Sequence, residues 1–385
     1  MADASYLARW NTGYYFYAVS YLEAKHMLRS FVLSSTSSRT LRKLVMLFLG
    51  AVIALVITDI ALGFLLPYIT IEPPSILLLQ NVQGVEKLWH YANVGIEPVV
   101  FTGSSQASRG LSPYEFNEEI KATTGHSIES VSISLWASVA SIQHDLIKNL
   151  IIPNHPKVII YGIEARALNG TDLYDVRVSD FHNTPLGYAV STESDIERNL
   201  LLWLLQHSNL MRYRDNFQQW FTGTRERNQL DYDPSQADDL GHFVDPAIHD
   251  RNPASILGLD NFVAFTPFKV EARPQQTLND IAKVCKQSGV LCILLNMPLH
   301  EMAYQYITEA DETLYQDELH ETGLPIWDFN TRSCRTLLGD ASFFDLNHLN
   351  EHGAQILSRI VADAYAHAFY NLPISKDASC AKINS

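Results

Sequence analysis

The longest apolar run, "LVMLFLGAVIALVITDIALGFLL" from Leu44 to Leu66, is interrupted only by Thr58 and Asp59. As a helix it extends roughly 34 Å, which is one bilayer crossing. A cleaved signal peptide fits poorly: the preceding segment is too long, the run exceeds an h-region, and no small-x-small cleavage site follows. A buried core helix is the other alternative, although soluble helices rarely stay apolar on every face for this length.

Further along, short apolar runs bounded by glycine or polar residues predict strands at 98–103 ("PVVFTG"), 130–134 ("SVSIS"), 157–162 ("KVIIYG"), 289–296 ("GVLCILLN") and 324–329 ("LPIWDF"). Helical patterns separate them: "PYEFNEEIKATT", "SIQHDLIKNLI", "TLNDIAKVCKQSG" and a closing "GAQILSRIVADAYAHAFY". This alternation predicts an α/β fold with a mostly parallel sheet covered on both faces. Between 170 and 275 it stops. "DIERNLLLWLLQHSNLMRYRDNFQQWF" reads as one or two helices, followed by an Asp-rich polar loop. Such an insertion belongs beside the carboxyl edge of the sheet, where its long loop is either a lid or simply mobile. The expected organisation is an amphipathic segment 1–43, a membrane helix 44–67, a proline-stiffened connector 68–95, an α/β domain 96–370 and a tail 371–385.

Charge adds direction. Arg9, Lys25, Arg29, Arg39, Arg42 and Lys43 face only Asp3 and Glu23 before the apolar run, and the next basic residue after it is Lys87. The positive-inside rule therefore places the N-terminus in the cytoplasm and the domain outside. The whole chain carries −14, which disfavours non-specific binding to nucleic acid. Leu7, Trp10, Tyr14, Tyr17, Tyr21, Ala24, Leu28 and Phe31 recur at helical spacing. That aromatic stripe suits the membrane interface or a partner, against the alternative of a small helical hairpin. Asp59 inside the span calls either for a partner helix or for a protonated or water-reached carboxyl. All four cysteines, Cys285, Cys292, Cys334 and Cys380, lie on the outer side, where disulfides survive. None has zinc-site spacing, and Cys292, within an apolar strand, reads as a small core residue.

The first strand ends in "FTGSSQASRG". A Gly-Ser-Ser turning from a strand into a helix exposes a serine beside free backbone N–H groups, as a nucleophile and its oxyanion hole require. A serine needs a histidine to take its proton, and that imidazole needs a partner on its other nitrogen. "FFDLNHLNEHG" supplies both, since Asp345 and His348 sit three apart just before the last helix. A metal site through Asp345, His348 and His352 is the competing reading. It finds no fourth ligand and leaves the serines unexplained.

These blocks resemble the first and last motifs of the SGNH (GDSL-type) hydrolase superfamily, over roughly residues 96–370. The resemblance implies a flavodoxin-like three-layer α/β/α domain with Ser105 as nucleophile behind Gly103, and with Asp345 and His348 as the acid and base. Leu349, Asn350 and Gly353 also match. The middle blocks depart from the pattern: "SISLWAS" offers Ser132, Ser134 and Ala137, so that Ala137 stands where the oxyanion glycine would be. "YGIEARALNG" (Gly162, Glu164, Arg166) replaces Gly-x-Asn-Asp. A missing oxyanion donor costs about 2.7–4 kcal/mol, and Arg166 is a candidate substitute, against a structural ion pair. Asn296, closing the fourth strand, is a candidate substrate contact, against a cap before Pro298.

With a single membrane helix, the chain is similar to the membrane-anchored SGNH-like proteins of cell-surface O-acylation systems, of the D-alanyl-transfer and alginate-acetylation types. The resemblance implies a multi-pass membrane-bound O-acyltransferase as partner through residues 1–67, a surface glycan or acyl ester as substrate, and neither cofactor nor metal. Hydrolysis and acyl transfer share one acyl-serine intermediate and remain open alternatives. A non-catalytic scaffold of the same fold is the alternative from another class.

Overall fold

The computed structural model describes residues 38–65, 76–136, 138–168, 178–179, 181–182, 184–213, 238, 240–243 and 272–384. The chain divides into two compact units, Met1–Tyr68 and Ile69–Ser385. In the first, helix α1 runs Ser38–Leu65, and its stretch Arg42–Leu65 is long and apolar enough to cross a membrane. Met46, Leu47, Phe48 and Phe64 on it are exposed. Thr58 Oγ1 donates to the carbonyl of Ala54 at 2.8 Å, which satisfies a hydroxyl inside an apolar helix. The aromatic stripe from Leu7 to Phe31 lies outside the described residues.

The second unit opens with α2 (Ile76–Val94), whose Val85, Leu88 and Trp89 enter the core, so the domain begins before residue 96. Then follow β1 (Val99–Gly103), α3 (Ser105–Gly110), α4 (Pro113–Thr124), β2 (Ser130–Ser132), α5 (Ala140–Leu146, prolonged by a π turn Ile147–Ile151) and β3 (Val158–Ile163). The insertion contributes α6 (Pro185–Ser191), α7 (Asp195–His207) and α8 (Asn209–Arg212). It ends earlier than expected, because α9 (Ala272–Ser288) begins before residue 275. β4 (Leu291–Asn296), α10 (Glu309–Glu321), β5 (Ile326–Asp328), α11 (Arg332–Leu338), α12 (Glu351–Tyr370) and β6 (Lys382–Asn384) complete the unit.

The sheet has the order β2-β1-β3-β4-β5-β6. All neighbours are parallel except β5 and β6. The first five strands follow one of the two common orders of doubly wound sheets, which place ligand sites at the carboxyl edge. Alternation along the strands feeds two cores. Val100, Ile159, Leu294 and Ile326 face α2, α5, α9 and α10. Val99, Phe101, Ile160, Leu295 and Trp327 face α4, α11 and α12, where Phe116 stands edge-on to both Phe101 and Tyr365 at 5.1 and 5.4 Å.

Two features correct the sequence reading. The segment expected as a C-terminal tail joins the domain: β6 adds antiparallel to β5, with Trp327 opposite Ile383, and Cys380 is disulfide-bonded to Cys334 on α11. Cys292 is buried as expected, yet it is bonded to Cys285 of α9 rather than being a simple packing residue.

Candidate active site

Register brings the ends of β1 and β3 into one row, with Gly103 opposite Gly162. A Cβ on Gly103 would come within 2.4 Å of the Gly162 carbonyl oxygen, and one on Gly162 within 2.7 Å of the Ala107 Cβ. Glycine at both positions is what lets α3 start directly over the sheet edge. The two serines after Gly103 divide the work. Ser104 is the N-cap, its hydroxyl accepting from Gln106 N at 3.3 Å. Ser105, the first helical residue, turns its hydroxyl to His348, with Oγ 2.7 Å from Nε2. These partners lie 243 positions apart in the chain.

The base loop is a small closed unit. Phe343 and Leu349 bridge antiparallel, and Phe344 N donates to the His348 carbonyl at 2.8 Å. Inside it, Asp345 forms an Asx turn, with Oδ1 accepting from Asn347 N (2.9 Å) and His348 N (2.7 Å). Its Oδ2 lies 2.8 Å from His348 Nδ1. Burial pushes the Asp345 pKa up. The charge and hydrogen bond of His348, then the two backbone N–H groups, outweigh burial and hold the carboxyl below the usual carboxylate range. An ionised Asp345 assigns the ring proton to Nδ1, which leaves Nε2 to accept from the Ser105 hydroxyl. His300 braces the loop from outside: its N–H donates to the Leu346 carbonyl at 3.0 Å, and its buried ring meets Phe343 edge-on at 5.2 Å. Helix α12 starts right after the loop because Asn350 caps it, accepting from Gly353 N at 3.0 Å. A Cβ on Gly353 would lie 2.2 Å from the Ser342 carbonyl oxygen. His352, in that first turn, is exposed.

Behind Ser105 lies a polar network that the sequence reading missed. The Gly103 carbonyl accepts from Leu135 N (2.8 Å), Ser138 Oγ (3.1 Å) and Gln143 Nε2 (2.9 Å). Gln143 also donates to Ser138 Oγ at 2.7 Å and accepts from Thr102 Oγ1 at 2.5 Å. The three side chains that take part, Thr102, Ser138 and Gln143, are buried. One signal was available: Gln143 falls on the apolar stripe of Val139, Leu146 and Leu150, where a glutamine needs a partner.

The remaining candidates fare differently. Ser134 is buried and receives the Ser132 hydroxyl at 3.2 Å. Ala137 lies outside the described residues. Arg166 is on the turn Ala165–Leu168 after β3, with its side chain outside the described residues. Asn296 is engaged inside the fold: Nδ2 donates to Asp328 Oδ1 at 2.8 Å, and Oδ1 accepts from Tyr315 Oη at 3.1 Å. At 1% exposure it ties β4 to β5 and α10. No protein-family model and no curated protein matches the chain.

Proposed function

We propose that the chain is a membrane-anchored serine acyl-ester enzyme of SGNH type, acting as an O-acyltransferase or esterase on a cell-surface or extracytoplasmic glycan. The observation that carries this reading is the unbroken chain Ser105 Oγ, His348 Nε2, His348 Nδ1, Asp345 Oδ2, with links of 2.7 and 2.8 Å. Ser105 Oγ attacks the acyl carbonyl while His348 Nε2 takes its proton, and Asp345 stabilises the imidazolium so formed. The oxyanion is met by backbone N–H groups at the start of α3, and the SGNH resemblance implies the Ala137 N–H as a second donor. On collapse the ester C–O bond breaks, and His348 returns the proton to the departing alcohol. His348 then deprotonates water or a sugar hydroxyl, which attacks the acyl-serine carbonyl; the bond from Ser105 Oγ to the acyl carbon breaks, His348 returns the proton to Ser105, and the carboxylic acid or the acylated sugar leaves.

The flavodoxin-like strand order supports an SGNH domain. Two disulfides support an oxidising compartment, and with the bias of basic residues before α1 they favour a cytoplasmic N-terminus and an outer domain. Residues 1–67 are then the surface for a multi-pass O-acyltransferase partner, which supplies the acyl group across the bilayer.

A non-catalytic scaffold is the second reading. It is favoured by Glu164, a buried carboxylate where Gly-x-Asn-Asp would put a neutral donor. A fluorophosphonate probe separates the two. The enzyme reading expects labelling of the full-length wild type and none of Ser105→Ala; a wild type that stays unlabelled leaves the scaffold.

A further inference from the structure

Helix α3 has six residues, and like any helix it leaves its last carbonyls without partners inside it. Two of them are met by the insertion, more than a hundred residues further along the chain. Phe243 N donates to the Ser108 carbonyl at 3.1 Å, and His242 Nε2 lies 3.2 Å from the Arg109 carbonyl oxygen. The segment that does this is preset. Asp238 Oδ1 accepts from Leu240 N and His242 N at 3.0 and 2.9 Å. The Leu240 carbonyl accepts from Ser132 N at 2.8 Å, which extends the edge of β2. Gly241 fits there because a Cβ would lie 2.4 Å from the Ser132 carbonyl oxygen. His242 and Phe243 are both buried.

Arg109 sits four residues after Ser105, on the same face of α3. Its guanidinium carbon lies 4.9 Å from the ring of Trp136, 5.1 Å from that of Phe243 and 5.1 Å from that of Phe344. Trp136 and Phe243 meet edge-on at 4.8 Å. Each ring belongs to a different piece of the site: Trp136 precedes Ala137, Phe344 precedes Asp345, and Phe243 is the insertion. One planar cation therefore joins the nucleophile helix to the oxyanion turn, the base loop and the inserted segment.

We propose that Arg109 is a positioning residue and that His242 and Phe243 complete its socket, so that the insertion is a working part of the catalytic frame. The inference rests on the serine-enzyme reading and deepens it: docking of residues 240–243 sets the alignment of Ser105 with His348. The side-chain plane matters as well as the charge, because a lysine ammonium cannot stack on three rings as a guanidinium does.

The test uses the full-length protein in detergent, with Arg109→Met, Arg109→Lys and Phe243→Ala. Two quantities are read: the fluorophosphonate labelling rate against pH and probe concentration, and the low-field proton resonance of His348 Nδ1–H. Misalignment by about an ångström costs up to about 100-fold, so Arg109→Met and Phe243→Ala should label on the order of 10- to 100-fold more slowly. The loss should fall on the saturating rate, not on probe affinity, with partial recovery in Arg109→Lys and a displaced resonance in both slow variants. Wild-type rates and an unmoved resonance in Arg109→Met and Phe243→Ala overturn the proposal. If the wild type itself is not labelled, the enzyme reading falls, and the resonance alone decides whether Arg109 positions the pair. Should Arg109→Met fail to fold, Arg109→Lys and Phe243→Leu carry the same comparison.

Discussion

On the acid–base side of the site, Asp345 takes two backbone N–H groups from its own turn and one imidazole three residues on, all within a loop closed by the Phe343–Leu349 bridge. On the nucleophile side almost nothing is local. Gly103 is held by Ser138 and Gln143, 35 and 40 residues away, and α3 is capped at its far end by His242, 133 residues from its partner. The side carrying Asp345 and His348 is thus built mainly from contacts within its own loop. The side carrying Ser105 is built into the core through contacts between residues far apart in the chain.

That contrast is breakable. His348→Gln should leave the melting temperature nearly unchanged while slowing probe labelling by roughly 100- to 10,000-fold, the range set by a general base. A large fall in melting temperature would show that the base loop is structural after all. Gly103→Ala tests the other side. Its new Cβ meets the Gly162 carbonyl oxygen at 2.4 Å, and such overpacking should cost about 1–3 kcal/mol in a denaturant melt. Labelling should fall with it; loss of one without the other would separate what the geometry joins. Gln143→Leu is milder, about 1 kcal/mol, because the Gly103 carbonyl keeps Leu135 N and Ser138 Oγ.

The smallest effect is a pH dependence confined to the base loop. The Asp345 pKa is lowered in the folded state. Its stabilisation is therefore fully present above the unfolded carboxylate value of about 3.9, and it is lost as the pH falls through the lower folded value. Asp345→Asn should lower the melting temperature slightly in the neutral region, where the stabilisation is present, and flatten the acid limb, so that the two profiles converge at low pH. An identical acid limb in both proteins would mean that the turn does not depend on the charge.

The same contrast explains what could be read from residues alone. All five predicted strands are present, since each is an apolar run between clear breakers. Asp345 and His348 were legible because an Asp, a His three later and a helix cap at Asn350 are one local pattern. The Gly103 network and the Arg109 socket were not, because their members are separated by dozens to hundreds of residues and each looks ordinary in its own window. β6 escaped for a related reason: three residues are too few to show alternation, and the Cys334–Cys380 bond that fixes it spans 46 positions. Asn296 stayed open between substrate contact and a cap before Pro298, because a polar residue at a strand's carboxyl end reads alike in either case; its partners are Asp328 and Tyr315.

The central claim is that Ser105 carries the acyl group. The most direct measurement is mass spectrometry of the full-length protein, acid-quenched after mixing with an activated short-chain acyl ester and digested. The account expects a single acyl adduct on the peptide containing Ser105, formed more slowly in His348→Gln and absent in Ser105→Ala. An adduct elsewhere with Ser105 unmodified, or none in the wild type, would contradict it.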